Sequence, residues 1–141
     1  MLSVDDRAFL TENHRGVMAI FRKSGAAQLT LVSCGLYGDG VAFTTKTDRA
    51  KLPNLKRNPS CTLLVSKPDW TGYMSLEGQA QLISLENTEA EDLRLILRDV
   101  YRVTGGDEHP DWDEHDQAMR GQRRLVVVVV PEHIYENKLH G

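Results

Sequence analysis

Cysteine, proline and aromatic residues are scarce in this chain, at two, five and 6% of 141 residues. Cys34 and Cys61 have neither CxxC nor metal-ligand spacing, which excludes a disulfide framework or zinc ribbon and suits a reducing compartment. Both read as small buried hydrophobes inside strands. The few aromatics are not interleaved with the basic residues, so a stacking platform for nucleic acid is excluded. No run approaches the roughly 20 apolar residues of a membrane span, and "MLSVDDRAFLTENHRG" lacks a basic region followed by an apolar one. A cytoplasmic protein without membrane contact is expected. Gly-x-Gly-x-x-Gly, a phosphate loop ending in Gly-Lys-Ser, Gly-x-Ser-x-Gly and His-Glu-x-x-His are all missing, which removes the commonest dinucleotide-binding, triphosphatase, hydrolase and zinc-protease readings.

Excess charge of one sign is missing as well. A formal net charge of −3 argues against broad nucleic-acid coating or a polybasic membrane surface. Positive charge is instead local: Lys46, Arg49, Lys51, Lys56 and Arg57 crowd into "FTTKTDRAKLPNLKRNPS". A cluster of that kind in an acidic chain is aimed at a small anion, and phosphate is the simplest.

The length fits a single domain, residues 1–141, able to bury roughly two thirds of the surface of its unfolded chain. Val4 to Glu12 reads as a short helix. "GVMAIF", "QLTLVSCGLY" and "VAFTT" read as three strands of an antiparallel meander, with Gly25 and "GDG" at 38–40 in the turns. "CTLLVS" and "GYMSLEGQAQLIS" form a further pair across "KPDWTG". Thr88 with Glu91 makes a capping box for an amphipathic helix over 88–102, and Asp111 with Glu114 caps a second one to about Arg120. "RRLVVVVVP" is a strand apolar on both faces and stopped by Pro131. Six strands with few helices predict a mainly β fold, a closed or nearly closed barrel.

Within the basic segment, Thr47 or Asp48 caps a helix running to about Asn58, with Pro53 either tolerated near its first turn or kinking it. A helix start just after a strand end points free N–H groups and the positive dipole end at one space. Basic residues are unfavourable there without an anion, so Arg49 and Lys51 read as ligand-binding and Lys56 and Arg57 as a solvated face. "QLTLVSC" reads as an ordinary half-buried strand that could also line a flat ring. Trp70 and Tyr73 flank Gly72 as barrel caps or as cover for a bound ring. His109, Asp111, Asp113 and His115 match no metal-binding signature, and no metal is expected.

The stretch "VAFTTKTDRAKLPNLKRNPSCTLLV", with "YMSLEGQAQLI", "GDEHPDWDEHDQAM" and "RRLVVVVVPEHIY", resembles the flavin and deazaflavin oxidoreductases related to pyridoxamine 5'-phosphate oxidase, especially the branch using coenzyme F420. The resemblance spans most of the chain. It implies a six-stranded antiparallel split β-barrel and a homodimer with cofactor sites at the subunit interface. By position, Arg49 and Lys51 resemble the phosphate-binding pair, with Thr44 and Thr45 near the ring or linker end. Gln28, Thr30, Leu31 and Val32 resemble the strand along the ring, and Tyr73 with Trp70 resemble residues approaching from the partner subunit. Here "SGAAQLTLVS" has Ala27 and Leu31 where relatives commonly carry proline, which alters the substrate pocket and leaves the phosphate end intact. The implied activity is hydride transfer from reduced F420 to a small unsaturated molecule, with no catalytic side chain assigned: water could supply the proton, and Tyr73 and His109 are the side-chain alternatives. The alternatives are an FMN-binding oxidoreductase or a non-catalytic carrier of flavin, haem or another tetrapyrrole. Lys46, Lys56 and Arg57 favour F420, whose acidic tail suits a basic groove.

Overall fold

In the computed structural model, which describes residues 1–137, period-two alternation of apolar side chains builds most of the architecture. Helix α1 (Val4–Glu12) leads into strands β1 (Arg15–Phe21), β2 (Ala27–Ser33), β3 (Gly35–Tyr37) and β4 (Gly40–Lys46). Then come α2 (Lys51–Arg57), β5 (Ser60–Ser66), β6 (Tyr73–Ile83), α3 (Ala90–Tyr101), a widened turn at Arg102–Gly106, α4 (Trp112–Gly121) and β7 (Arg124–Asn137). The strands pair antiparallel in the order β2-β1-β5-β6-β7-β4-β3. The fold is mainly β, a split barrel.

Inward residues decide the curl. Met18 and Ile20 of β1, Leu63 and Val65 of β5, and Met74 and Leu76 of β6 meet Phe43 of β4 and Val127 of β7 in one core, closed by Phe9 and Leu10 of α1 and Leu52 and Leu55 of α2. Strand β7 is apolar on both faces because it has two jobs. Its Val126 and Val128 turn away from that core, join Ala42, and meet Leu93, Leu97 and Val100 on the apolar stripe of α3. Each of those α3 side chains contributes about 1.5–3 kcal/mol by leaving water. Helix α3 is thereby fixed against β4 and β7, beside the ends of the strands that carry the basic segment.

Several sequence expectations are corrected. The predicted second strand is two strands, since the chain breaks at Cys34, whose N–H donates to His14 O at 2.8 Å. The opening is therefore two hairpins rather than a meander: β1 pairs with β2, β3 with β4, and β2 and β3 lie at opposite ends of the ladder. Gly35 permits the break, because a Cβ there would sit 1.8 Å from Val103 O. Pro131 does not stop β7. It pairs with Gly78 at a register shift in β6, where a missing N–H is tolerated, and β7 continues to Asn137.

The caps differ too. No side chain caps α2, which starts at Lys51 after Ala50 instead of at Thr47 or Asp48. Thr88 does not cap α3. Its hydroxyl donates to Asn87 Oδ1, and Glu89 stands at the cap position without a side-chain bond. Asp111 does cap α4, accepting from Glu114 N–H at 3.1 Å, and Ser3 and Asp6 form a reciprocal capping box on α1. Among the described residues, no helix is long and apolar enough to cross a membrane. Residues 138–141 of the expected domain lie outside the described residues.

Candidate anion and cofactor site

The C-terminal ends of β2 and β4 stand far apart in the strand order, yet both border one cavity of about 320 Å³, so the sheet curls to bring them together. Leu31, Val32 and Ser33 come from β2, and Thr44, Thr45 and Lys46 from β4. The turn after β4 adds Arg49, the first residue of α2 adds Lys51, and the first residue of β7 adds Arg124. Arg124 Nη1 lies 3.3 Å from Thr44 Oγ1, which orients the guanidinium along the strand end.

The electrostatics are one-sided. Lys51 is 9% exposed, and its ammonium lies 5.6 Å from the centroid of the Phe43 ring. Burial first, then the charges of Arg49 and Arg124, hold the lysine below its ordinary range. Burial and the Arg49 charge lower Arg124 likewise. Among the described residues, no carboxylate pairs with Arg49, Lys51 or Arg124. Like charges gathered without a counterion oppose folding, and a bound anion relieves that opposition.

Of the residues expected at the site, Leu31, Val32, Thr44, Thr45, Arg49 and Lys51 converge on this cavity. Gln28 and Thr30 lie outside its lining, although both sit on β2, and Gln28 Oε1 instead accepts from Asn54 Nδ2 at 3.1 Å. Trp70 is 85% exposed and Tyr73 half-exposed at the β5–β6 turn, away from the cavity of their own chain. Lys56 and Arg57 are exposed, as expected of a solvated face, and each also has a partner on the surface. Lys56 Nζ pairs with Glu86 at 3.0 Å, and Arg57 donates to Phe21 O at 2.8 Å. His109 Nδ1 accepts from Asp111 N–H. Burial pushes the Cys34 and Cys61 thiols up to about 12, which leaves both unreactive.

Sequence reasoning missed the wall built by the α3–α4 region, where Leu97, Tyr101, Thr104, His115 and Met119 complete the lining. His115 and Met119 are four apart on α4, a spacing that puts them on one helix face and was available from the sequence. Arg124 had no local signal. It faces Lys46 across the β4–β7 ladder, a like-charge pair that only the register reveals.

A family model described as pyridoxamine 5'-phosphate oxidase matches residues 5–138. Solved structures share the fold. A conserved hypothetical protein from Mycobacterium tuberculosis is 20% identical with a TM-score of 0.78, covering 98% of this chain and 85% of that one. A structure described as an F420 reductase is 24% identical with a TM-score of 0.66, covering 92% and 94%. A pyridoxamine 5'-phosphate oxidase-related, FMN-binding protein from Nostoc punctiforme is 14% identical with a TM-score of 0.66, covering 91% and 75%. With the model matching nearly the whole chain and the split barrel in place, this chain belongs to the pyridoxamine 5'-phosphate oxidase family.

Proposed function

We propose that the protein is an oxidoreductase that binds coenzyme F420 and transfers hydride from its reduced form to a small unsaturated substrate. One observation carries the reading: Arg49, Lys51 and Arg124 converge on a cavity where, among the described residues, no carboxylate pairs with them. That donor set fits a phosphate group, which accepts several charge-assisted hydrogen bonds at once. Thr44 and Thr45 offer hydroxyls next to it, and Leu31 and Val32 offer an apolar edge for a flat ring.

When bound, the deazaflavin supplies the hydride, so the residues of the chain have to anchor, orient and exclude water. Arg49, Lys51 and Arg124 anchor the phosphate. Leu31 and Val32 hold the ring against β2, and the α3–α4 wall shields the cavity from solvent on another side.

F420 is favoured over FMN by what adjoins the cavity. A larger cleft of about 820 Å³ shares Leu97, Met119 and Arg124 with it, which gives room for a longer tail, and its lining carries Lys56, Arg120 and Arg123 beside Glu86 and Glu91. The F420 reductase among the similar structures supports the same choice.

The expected assembly is a cytoplasmic homodimer. On the face of the sheet turned away from the core, Leu31 stands opposite Val17 and Val17 opposite Leu64, with Leu29 opposite Ala19 in the next row. Leu31 is 85% and Leu29 64% exposed, so an apolar strip continues to the rim of the cavity. A second copy packed there would bury it and cover the cavity mouth, and the expected approach of Trp70 and Tyr73 from the partner belongs to this assembly.

Parallel titrations of the purified protein with F420, FMN and haem, followed by mixing with reduced F420 and electron-poor alkenes or quinones, test the function. The expected result is tightest binding of F420 with hydride transfer to at least one acceptor. Tighter binding of FMN would replace the cofactor, and tight binding without transfer to any acceptor would make the protein a carrier.

A further inference from the structure

The cavity has one polar wall that anchoring a phosphate does not use. His115 on α4 borders it, and the residue is only 5% exposed. Its Nδ1 is buried without a hydrogen-bond partner among the described residues. Edges of Tyr101, Trp112 and His109 pack round the ring, with centroids 5.2, 5.3 and 5.4 Å away, and fix its plane.

The nearest charge to the buried nitrogen is Asp116, whose Oδ1 lies 3.6 Å from Nδ1, beyond hydrogen-bonding distance. Asp116 cannot turn toward it. The carboxylate already accepts from Arg98 Nε and Nη2, at 3.0 and 2.6 Å, and from Arg94 Nη1 at 3.0 Å. Its negative charge nevertheless favours a proton on Nδ1, the nitrogen that faces it. Burial outweighs Asp116 in setting the ring's charge and lowers its affinity for a second proton. Nδ1 is the enclosed nitrogen, so Nε2, with its lone pair, is the one left to face the cavity.

We propose that His115 is a ligand-binding residue of this cavity, carrying its proton on Nδ1 and accepting through Nε2 a hydrogen bond from a hydroxyl or N–H group of the bound cofactor. A lone pair repels phosphate and carboxylate oxygens. His115 therefore recognises the polyol or ring portion of the molecule, while Arg49, Lys51 and Arg124 take the phosphate. The division of labour rests on the cofactor reading given above.

The test combines ¹⁵N NMR of the imidazoles with binding titrations. His115 resonances are assigned by comparison with H115Q, and the wild-type protein is measured free and saturated with F420, then with FMN. The expected result is an Nδ1–H tautomer in the free protein and a shift of the Nε2 resonance with at least one cofactor. H115F should weaken that cofactor by roughly two- to tenfold, the worth of one hydrogen bond, while H115Q, which keeps an acceptor, loses less. Affinity for inorganic phosphate should be the same in wild type and both variants. A proton on Nε2, an Nε2 resonance unmoved by saturation, or an H115F protein that binds as tightly as wild type would overturn the assignment. If R49A/K51A abolishes binding while H115F leaves it intact, only the role of His115 falls. If wild type binds neither F420 nor FMN, the cofactor reading falls and takes the role of His115 with it. Should H115F fail to fold, the wild-type NMR measurements decide.

Discussion

Lys51 holds an ammonium group in a place that suits it poorly, packed against Phe43 and facing two guanidinium groups. Between its lowered titration point and the ordinary value of 10.5, the unfolded chain binds a proton that the folded one does not. The stability of the free protein should therefore rise with pH across that window as Lys51 discharges, and K51M should flatten the rise in denaturation midpoint. A bound anion reverses the preference, so cofactor affinity should fall over the same range. Truncating the cations tests the anchoring directly. R49A and K51A should each weaken the cofactor by roughly tenfold or more, since hydrogen bonds to charged groups contribute about 1.5–3 kcal/mol, and a fluorescence titration reads the loss. These two residues were legible in the sequence because they are close neighbours beside a strand end. Arg124 was not, because it reaches the cavity from an element far along the chain, and the spacing of His115 and Met119 marked a shared helix face without saying that the face borders this cavity.

Helices α3 and α4 form a clamp whose jaw is Asp116, buried between Arg94 and Arg98 and beside the Arg98–Trp112 contact. The hydrogen bonds from Arg98 above all, and from Arg94, hold the Asp116 carboxyl well below the usual carboxylate range. That contribution to stability is present above the ordinary carboxylate value and lost as pH falls through it and below. D116N should lower the urea midpoint at neutral pH and lose less stability on acidification than wild type. The clamp also sets the position of His115 and Met119, so cofactor affinity should drop with it. Gly35 makes the second demand at this scale, since its missing side chain lets β3 lie against Val103 beside Thr104 of the cavity wall. G35A forces backbone apart and should cost roughly 1–3 kcal/mol by chemical denaturation. The sequence marked most elements correctly where the apolar pattern alone decides them, as in α1, β5, β6 and the doubly apolar part of β7 before Pro131. It misplaced the start of α2 and the cap of α3, because Thr47, Asp48 and Thr88 have the right chemistry for caps but take other places in the folded chain.

The whole molecule joins two surfaces that one strand serves at once. Strand β2 gives Val32 to the cavity and presents Leu29 and Leu31 to solvent, and Leu31 belongs to both. Sedimentation of the wild-type protein should show a dimer. L29D with L31D should give a folded monomer with weaker cofactor binding, and a monomeric wild type would contradict the assembly. A mainly β barrel was legible from the strands, and the split barrel followed from the family resemblance carried above all by the "TKTDRAKLPNLKRNP" segment. The order of its strands was not, because pairing β2 with β1 and β3 with β4 at opposite ends depends on the curl, which no local pattern records. We propose that this curl assembles a phosphate anchor for F420, and isothermal titration of wild type and R49A/K51A with F420 and FMN tests that most directly. Wild type should bind F420 more tightly than FMN, and the double variant should lose most of its affinity for F420. Equal F420 affinity in the two proteins, or no binding by wild type, would contradict it.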